Sequence, residues 1–460
     1  MAAKRDRQQV SPMTSTYSSR AGSGGRTVVR NGLVLTPECP HRLLRKDILI
    51  EGDRIASIGG NIPQDVPELD AIGMIVIPGL VDAHRHCWQG ALRGAAIDTD
   101  LMGYFGRVIH RFAPHYSPED VYVGTLASAL DAIDAGITTI YDWAHIVNSL
   151  DHADAGIEAL TGSGIRAIWG YGFPNTRPEW SWQSNLPVPQ AEARHIRRTR
   201  LPSNDSKVTM GLALRGPELS NMAVVESDWT LAKELAIPPS LHIGNTPAAL
   251  TDEPIARLEE CGLLMAGAHY VHTNWLSAND RRRVADSGGS VVVTPSVEMA
   301  MGFGMPAIQA SLDAGLKPGL GVDVTTTASG DMFSEMRAAL WSSRVSEHLS
   351  ETKVGAADVF SFATIDAARA IGLGERTGSI TVGKQADLVL LRMNIPQSAK
   401  GDPAGYIAAY GERRHVDTVI VAGTILKRGG NLLVGDVAQL NERLNRSYEG
   451  LLDRARRAAA

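Results

Sequence analysis

A chain of 460 residues, 44% hydrophobic and 21% charged, can bury a large core as one barrel-sized domain or two smaller ones. A formal net charge of -5 and a pI near 6.2 leave no basic surplus for phosphate, which excludes nucleic acid as the expected partner and makes a small molecule the default. No run of about twenty apolar residues is present, and Cys39, Cys87 and Cys261 form no Cys-x-x-Cys pair, so the sequence predicts no membrane span and no disulfide or thiolate-zinc framework, and points to a reducing cytoplasm.

Residues 1–25 are polar, basic and rich in Ser and Gly, and read as a disordered tail. Short β-rich pieces broken by Asn-Gly and Gly-Asp turns fill 26–78, and the same texture returns in 375–430. Together they predict one small β-sandwich. Between them, 79–374 alternates apolar strand-like runs with helix-like stretches eight times. That is the pattern of an α/β protein built on a (β/α)8 TIM-type barrel, whose chemistry sits at the C-terminal ends of the strands. In 431–460, Val437, Leu440, Leu444, Tyr448 and Leu451 recur at helical spacing and predict an amphipathic helix.

The strand ends carry the chemistry. His84 and His86 lie two apart at the end of the first strand, so both imidazoles share a face. His242 ends the fifth strand, His269 and His272 fall on the sixth, and Asp323 on the eighth. A lone His-x-His is commonly a hydrogen-bonded pair, but imidazoles and a carboxylate meeting at one end of a barrel suit a borderline divalent ion: zinc, with iron or nickel compatible by ligand type.

His84-Arg85-His86 after "PGLVDA", together with His242, His272, Asp323 and the flanking β segments, resembles the amidohydrolase superfamily, in its cytosine deaminase, S-adenosylhomocysteine deaminase and triazine chlorohydrolase branch. The resemblance covers nearly all of 26–430. It implies a distorted (β/α)8 barrel with a β-sandwich made by both ends of the chain, a homodimer or homotetramer, and one divalent metal, Zn2+ first and Fe2+ second, that activates water against an electron-poor carbon. It also implies the ligand set His84, His86, His242, His272 and Asp323. Leu276-Ser277 follow His272 at the offsets of the relatives, which favours it over His269, expected as a core or supporting histidine.

Three positions depart from that pattern. The relatives' glutamate three residues after the fifth-strand histidine is Asn245 here, their seventh-strand histidine is Val293, and the glycine after the eighth-strand aspartate is Val324. An asparagine amide does not titrate, so the usual proton relay is missing. Asp323 is expected to take the water's proton itself, with Glu298 and His145 as further proton carriers; a cap carboxylate and a loop histidine are the structural alternatives for these two. Trp88, Gln89, Asn245, Tyr171 and Arg215 are the expected substrate contacts, while Arg85 is turned away by strand alternation.

Three functions are compatible with this set. The first is a metal-dependent hydrolase of a small nitrogenous, heterocyclic molecule, acting at a C–N or C–Cl carbon. The second is a non-hydrolytic lyase, dehydratase or cyclase, and the third a catalytically silent binding protein.

Overall fold

The computed structural model describes residues 25–60, 62–172, 185–345 and 354–459; the expected tail therefore lies, up to residue 24, outside the described residues. Eight parallel strands follow one another in chain order: β1 (Leu80–Arg85), β2 (Ile137–Ala144), β3 (Arg166–Gly172), β4 (Val208–Ala213), β5 (Pro239–Ile243), β6 (His269–His272), β7 (Ser290–Val293) and β8 (Gly319–Leu320). Strands buried on both faces need continuous apolar runs, and every residue of "ITTIYDWA" in β2 is buried. Helices between the strands start where the sequence caps them. Ser117 and Asp120 form a reciprocal capping box at the helix Pro118–Asp134.

β8 is only two residues long, shorter than the run "LKPGLGVDV" suggests, because the chain turns out of strand geometry before Asp323. Asp323 itself completes the ring. Its N–H donates to the His84 carbonyl at 2.8 Å and its carbonyl accepts from the His86 N–H at 2.9 Å, joining the end of the barrel to β1. Gly321 makes this approach possible: a Cβ there would lie 2.9 Å from the Cβ, N and O of His84.

Two further sheets come from the chain ends. A four-stranded sheet uses Arg26–Arg30, Ile48–Glu51, Arg54–Ile58 and Glu68–Asp70, and a seven-stranded sheet mixes both termini. In the latter, Leu388–Leu391 pairs antiparallel with Ile75–Pro78, with Val389 opposite Ile77. Val29, Ile48, Val76, Leu388 and Ile420 pack together between the sheets. The C-terminal helix Val437–Ala459 buries Leu440, Ser447, Leu451 and Ala455, and Ser447 donates to Asp120 at 2.6 Å. No helix among the described residues is long and apolar enough to cross a membrane.

A buried ion pair fastens the sandwich to the barrel. Arg166 on β3 donates to Asp387 from Nε at 2.9 Å and Nη2 at 3.1 Å, while Thr377 Oγ1 and the Ala422 N–H donate to the same carboxylate. Burial works to raise the Asp387 carboxyl, but Arg166 and these donors hold it below its ordinary value. Asp387→Ala is therefore expected to destabilise the fold by about 3–5 kcal/mol, since it strands a buried guanidinium. Urea melts of the variant and parent measure this; a difference of less than about 1 kcal/mol, the value of an exposed pair, would show the linkage to be dispensable.

Candidate metal centre and cavity

β1 ends at the mouth of the barrel with alternate residues facing inward, so His84 and His86 project to the same side and Arg85 to the other. Arg85 is buried in the wall, donating to Asp82 at 2.6 Å, Ser128 at 3.2 Å and the Gly330 carbonyl at 2.7 Å. Opposite stand His242 in β5, His272 at the end of β6 and Asp323 beyond β8. His272 and Asp323 have φ of 77° and 66°, and Thr273 has 61°. Three left-handed non-glycine residues around one point are strain held by the surrounding structure, which is where functional sites store it.

The ring nitrogens converge. His242 Nε2 lies 3.1 Å from His84 Nε2, and Asp323 Oδ1 lies 3.4 Å from His84 Nε2 and 3.2 Å from His86 Nε2. His84, His86, His242 and Asp323 can each offer a ligand atom within 4.8 Å of the others. His272 Nε2 stands 3.9 Å from Asp323 Oδ2, at the edge of that group. Outer partners orient the rings: His86 Nδ1 is 2.9 Å from the Trp143 carbonyl, and His272 Nδ1 is 3.3 Å from Glu298 Oε1. An N–H on Nδ1 leaves the Nε2 lone pair directed inward, the arrangement a metal-binding histidine requires.

The electrostatics agree. Burial lowers His84 to about 4, and burial with the neighbouring imidazoles holds His242 well below its ordinary value, so both are neutral at neutral pH. Burial works to raise Asp323, but the His84 and His86 rings beside it and the other nearby histidines outweigh it and keep the carboxyl well below its usual range. Buried imidazoles packed around one carboxylate fit a divalent ion of borderline softness.

A cavity of about 220 Å³ opens over this cluster. Leu101, Phe105, Trp143, Met301, Phe303 and Val324 form apolar walls, and His145, Glu218, Asn245, Thr246 and Asp252 supply polar atoms. The Oδ1 of Asn245 is buried and has no hydrogen-bond partner among the described residues. His145 lies just past β2, with Nδ1 3.0 Å from His86 Nδ1, and burial followed by His86 pushes it well below its ordinary value.

The other expected site residues stand outside the lining. Glu298 is fully buried behind His272, where its Oε1 also accepts from the Thr294 N–H at 2.8 Å. Gln89 reaches the cavity through Tyr104, donating to its hydroxyl at 2.5 Å, and Trp88 packs edge-on against His145 and Tyr116. Tyr171 donates to the Pro189 carbonyl at 3.3 Å, on the helix side of the barrel. Strand parity explains it, because Trp143 faces the cavity and pairs with Gly170, which turns Tyr171 outward. Arg215 is buried and donates to the Leu186 carbonyl. His269 is buried at 4.5 Å from the Tyr141 ring, inside the barrel and away from the cavity lining. Sequence reasoning missed Glu218 and Tyr104, both of which line the cavity. The strand-end rule applied past Arg215 reaches Glu218; nothing local marks Tyr104.

The profile of the amidohydrolase family matches residues 75–426, from the last sandwich strand before the barrel to the second-last strand after it. The chain belongs to the amidohydrolase family. It is an enzyme of this hydrolase family. Among similar proteins, the 5-methylthioadenosine/S-adenosylhomocysteine deaminase of Pyrococcus furiosus is 28% identical over 417 residues, covering 88% of this chain and 96% of the relative. The 5'-deoxyadenosine deaminase of Methanobrevibacter smithii is 25% identical over 438 residues, covering 92% of this chain and 98% of the relative. Among solved structures, an adenosine deaminase from Xanthomonas campestris with bound zinc superposes with a TM-score of 0.79 at 25% identity, over 93% of this chain and 98% of the other. An atrazine chlorohydrolase from Arthrobacter aurescens TC1, complexed with zinc and atraton, gives a TM-score of 0.82 at 22% identity over 92% and 100% and shares the fold.

Proposed function

We propose that this amidohydrolase is a zinc-dependent enzyme that hydrolyses an aminated nitrogen heterocycle about the size of a purine, with 5'-methylthioadenosine as the first compound to test. The observation that carries this reading is the meeting of His84, His86, His242, His272 and Asp323 at the floor of a small, mostly apolar cavity. The zinc-bound deaminase of similar fold and the nucleoside deaminases among the relatives support the metal and the substrate class. Fe2+ is the second candidate by ligand type.

A divalent ion held by these five residues would supply Lewis-acid activation of a water and of the carbon it attacks. The protein's own groups do the rest. The apolar walls exclude bulk water and clamp a flat ring, which strengthens every polar contact within. Asp323, ionised at neutral pH, takes one proton from the attacking water. Asn245 Oδ1, buried without a hydrogen-bond partner among the described residues, accepts a hydrogen bond from an N–H of the heterocycle. His145, neutral and lining the cavity, passes protons toward solvent, and Glu298 holds the His272 ring in place from behind.

Asn245 and Val293 favour a second reading, a lyase, dehydratase or cyclase that uses the ion only to polarise a carbonyl. One experiment separates the two. The protein is loaded with one equivalent of zinc and offered 5'-methylthioadenosine, S-adenosylhomocysteine, adenosine and atraton in heavy-oxygen water. Hydrolysis is expected to place one solvent oxygen in the product and release an equivalent of ammonia or alcohol. Conversion without solvent oxygen would replace the hydrolytic reading by the second. We read the active form as a cytoplasmic homodimer or homotetramer with no nucleic-acid or membrane partner.

A further inference from the structure

We propose that Glu218, reaching in from the loop after β4, is the acid that protonates the substrate's ring nitrogen, in place of the carboxylate that position 245 lacks. The proposal rests on the hydrolytic reading above and deepens it by assigning the missing proton donor.

The geometry comes first. Glu218 lines the same cavity as His242, Asn245 and Asp323. Its Oε2 accepts from the Gly244 N–H at 2.7 Å, which fastens the carboxyl beside the residue that precedes Asn245. A glutamate side chain from β4's loop thus ends beside the C-terminal end of β5. Gly244 has φ of 71°, a turn that directs its N–H toward the incoming carboxyl, and the loop is held from the far side by Arg257, which donates to the Pro217 carbonyl at 3.3 Å. Only one carboxyl oxygen is engaged by a hydrogen bond among the described residues, so the other remains for a ligand.

The other acidic groups of the cavity are unsuited to this task. Asp252 is exposed at its rim, and Asp323 belongs to the metal cluster, where it stays ionised. Glu218 is different. Burial, assisted by Asp252 and Asp280, pushes it up to about 7 against the opposing Gly244 N–H and Arg257. A carboxyl poised near neutrality exists as an acid and as a base in comparable amounts, the condition for moving a proton in both directions within one turnover.

The proton bookkeeping closes for hydrolysis of an amino-substituted carbon. As the water oxygen bonds to carbon, Glu218 gives its proton to the ring nitrogen that receives the C=N electron pair, and Asp323 takes one proton of the water. The Asp323 proton then goes to the exocyclic amine, the C–N bond breaks with its electron pair leaving on ammonia, and the hydroxyl proton of the adduct returns to Glu218. The sum is one water consumed, one ammonia released and a carbonyl formed, with Glu218 and Asp323 restored.

The test uses the zinc-loaded full chain with whichever compound of the four-member panel the parent converts fastest. Glu218→Gln is expected to lower kcat by about 10²-fold or more, with zinc content unchanged and KM changed less than the turnover. Parent kcat/KM is expected to fall as pH rises through about 7, because the acid form is required. The glutamine variant loses that limb, and Glu218→Asp keeps it at an intermediate kcat. A merely structural glutamate would leave the limb in place. Glu218→Gln with parental kcat and an intact limb overturns the assignment while the hydrolytic reading stands. Parent enzyme with full zinc that converts none of the four compounds overturns both.

Discussion

Replacing Asp323 by asparagine is expected to reduce turnover by about 10³-fold or more while leaving the barrel folded. The separation of these two effects follows from how the residue is held. Both backbone groups of Asp323 are bonded to β1, through the His84 carbonyl and the His86 N–H, so its position is set by the main chain. Asparagine is close to isosteric and tolerates the left-handed φ of 66° better than most residues. What changes is charge. The carboxylate loses the ability to take a proton and the histidine cluster loses its aspartate ligand, so metal affinity is expected to fall as well. Turnover per bound zinc, from kinetics paired with plasma mass spectrometry, separates the two losses. A variant that keeps more than about a tenth of parental turnover per zinc would remove Asp323 from proton transfer, since general-base catalysis contributes typically 10²–10⁴-fold.

The barrel was legible because its signals are periodic and repeated. Eight apolar runs alternating with capped helices admit few other architectures, and the two-residue spacing of His84 and His86 needs only strand geometry to become a shared face. The choice of His272 over His269 came from residues downstream of both, and the structure gives those residues a role: Ser277 caps the helix Ala278–Asp286, accepting from the Asp280 N–H at 3.0 Å. That cap ends the β6 connection and leaves His272, at φ of 77°, at the mouth.

Cavity contacts were far less legible. Tyr171 differs from an inward position by one residue, and a parity slip of one reverses a side chain in any strand. Arg215 is the first charged residue after β4 and attracts attention for that reason, yet burial places it in the wall, whereas Glu218 three positions later lies in an irregular loop whose direction no periodicity reports. Tyr104 is harder still. It arrives from a helical excursion after β1, Leu101–Tyr104, and its place over the cluster depends on a tertiary contact with Gln89.

Removing the metal is expected to make the protein both inactive and acid-sensitive, and the sign of the second effect follows from the buried histidines. His84 is lowered by burial to about 4 and His269, also by burial, to about 3, against an ordinary value of 6.5. Between about 6.5 and 4 the unfolded chain therefore binds protons that the folded chain refuses, so stability is complete above 6.5 and is lost as pH falls toward 4. His84 alone corresponds to a loss of the order of 3 kcal/mol across that window. A metal that binds only the folded chain opposes this, adding about 4 kcal/mol when present at about 1,000 times its Kd. Chelator-treated protein is accordingly expected to unfold at a higher pH than the zinc-loaded protein, with the midpoint moving back on adding zinc. Circular dichroism followed down the pH scale, with and without chelator, reads both midpoints. Coincident midpoints would mean that the folded chain gains nothing from the ion, and that outcome would contradict a metal centre built from His84, His86, His242, His272 and Asp323, whose donor atoms crowd so closely around one point.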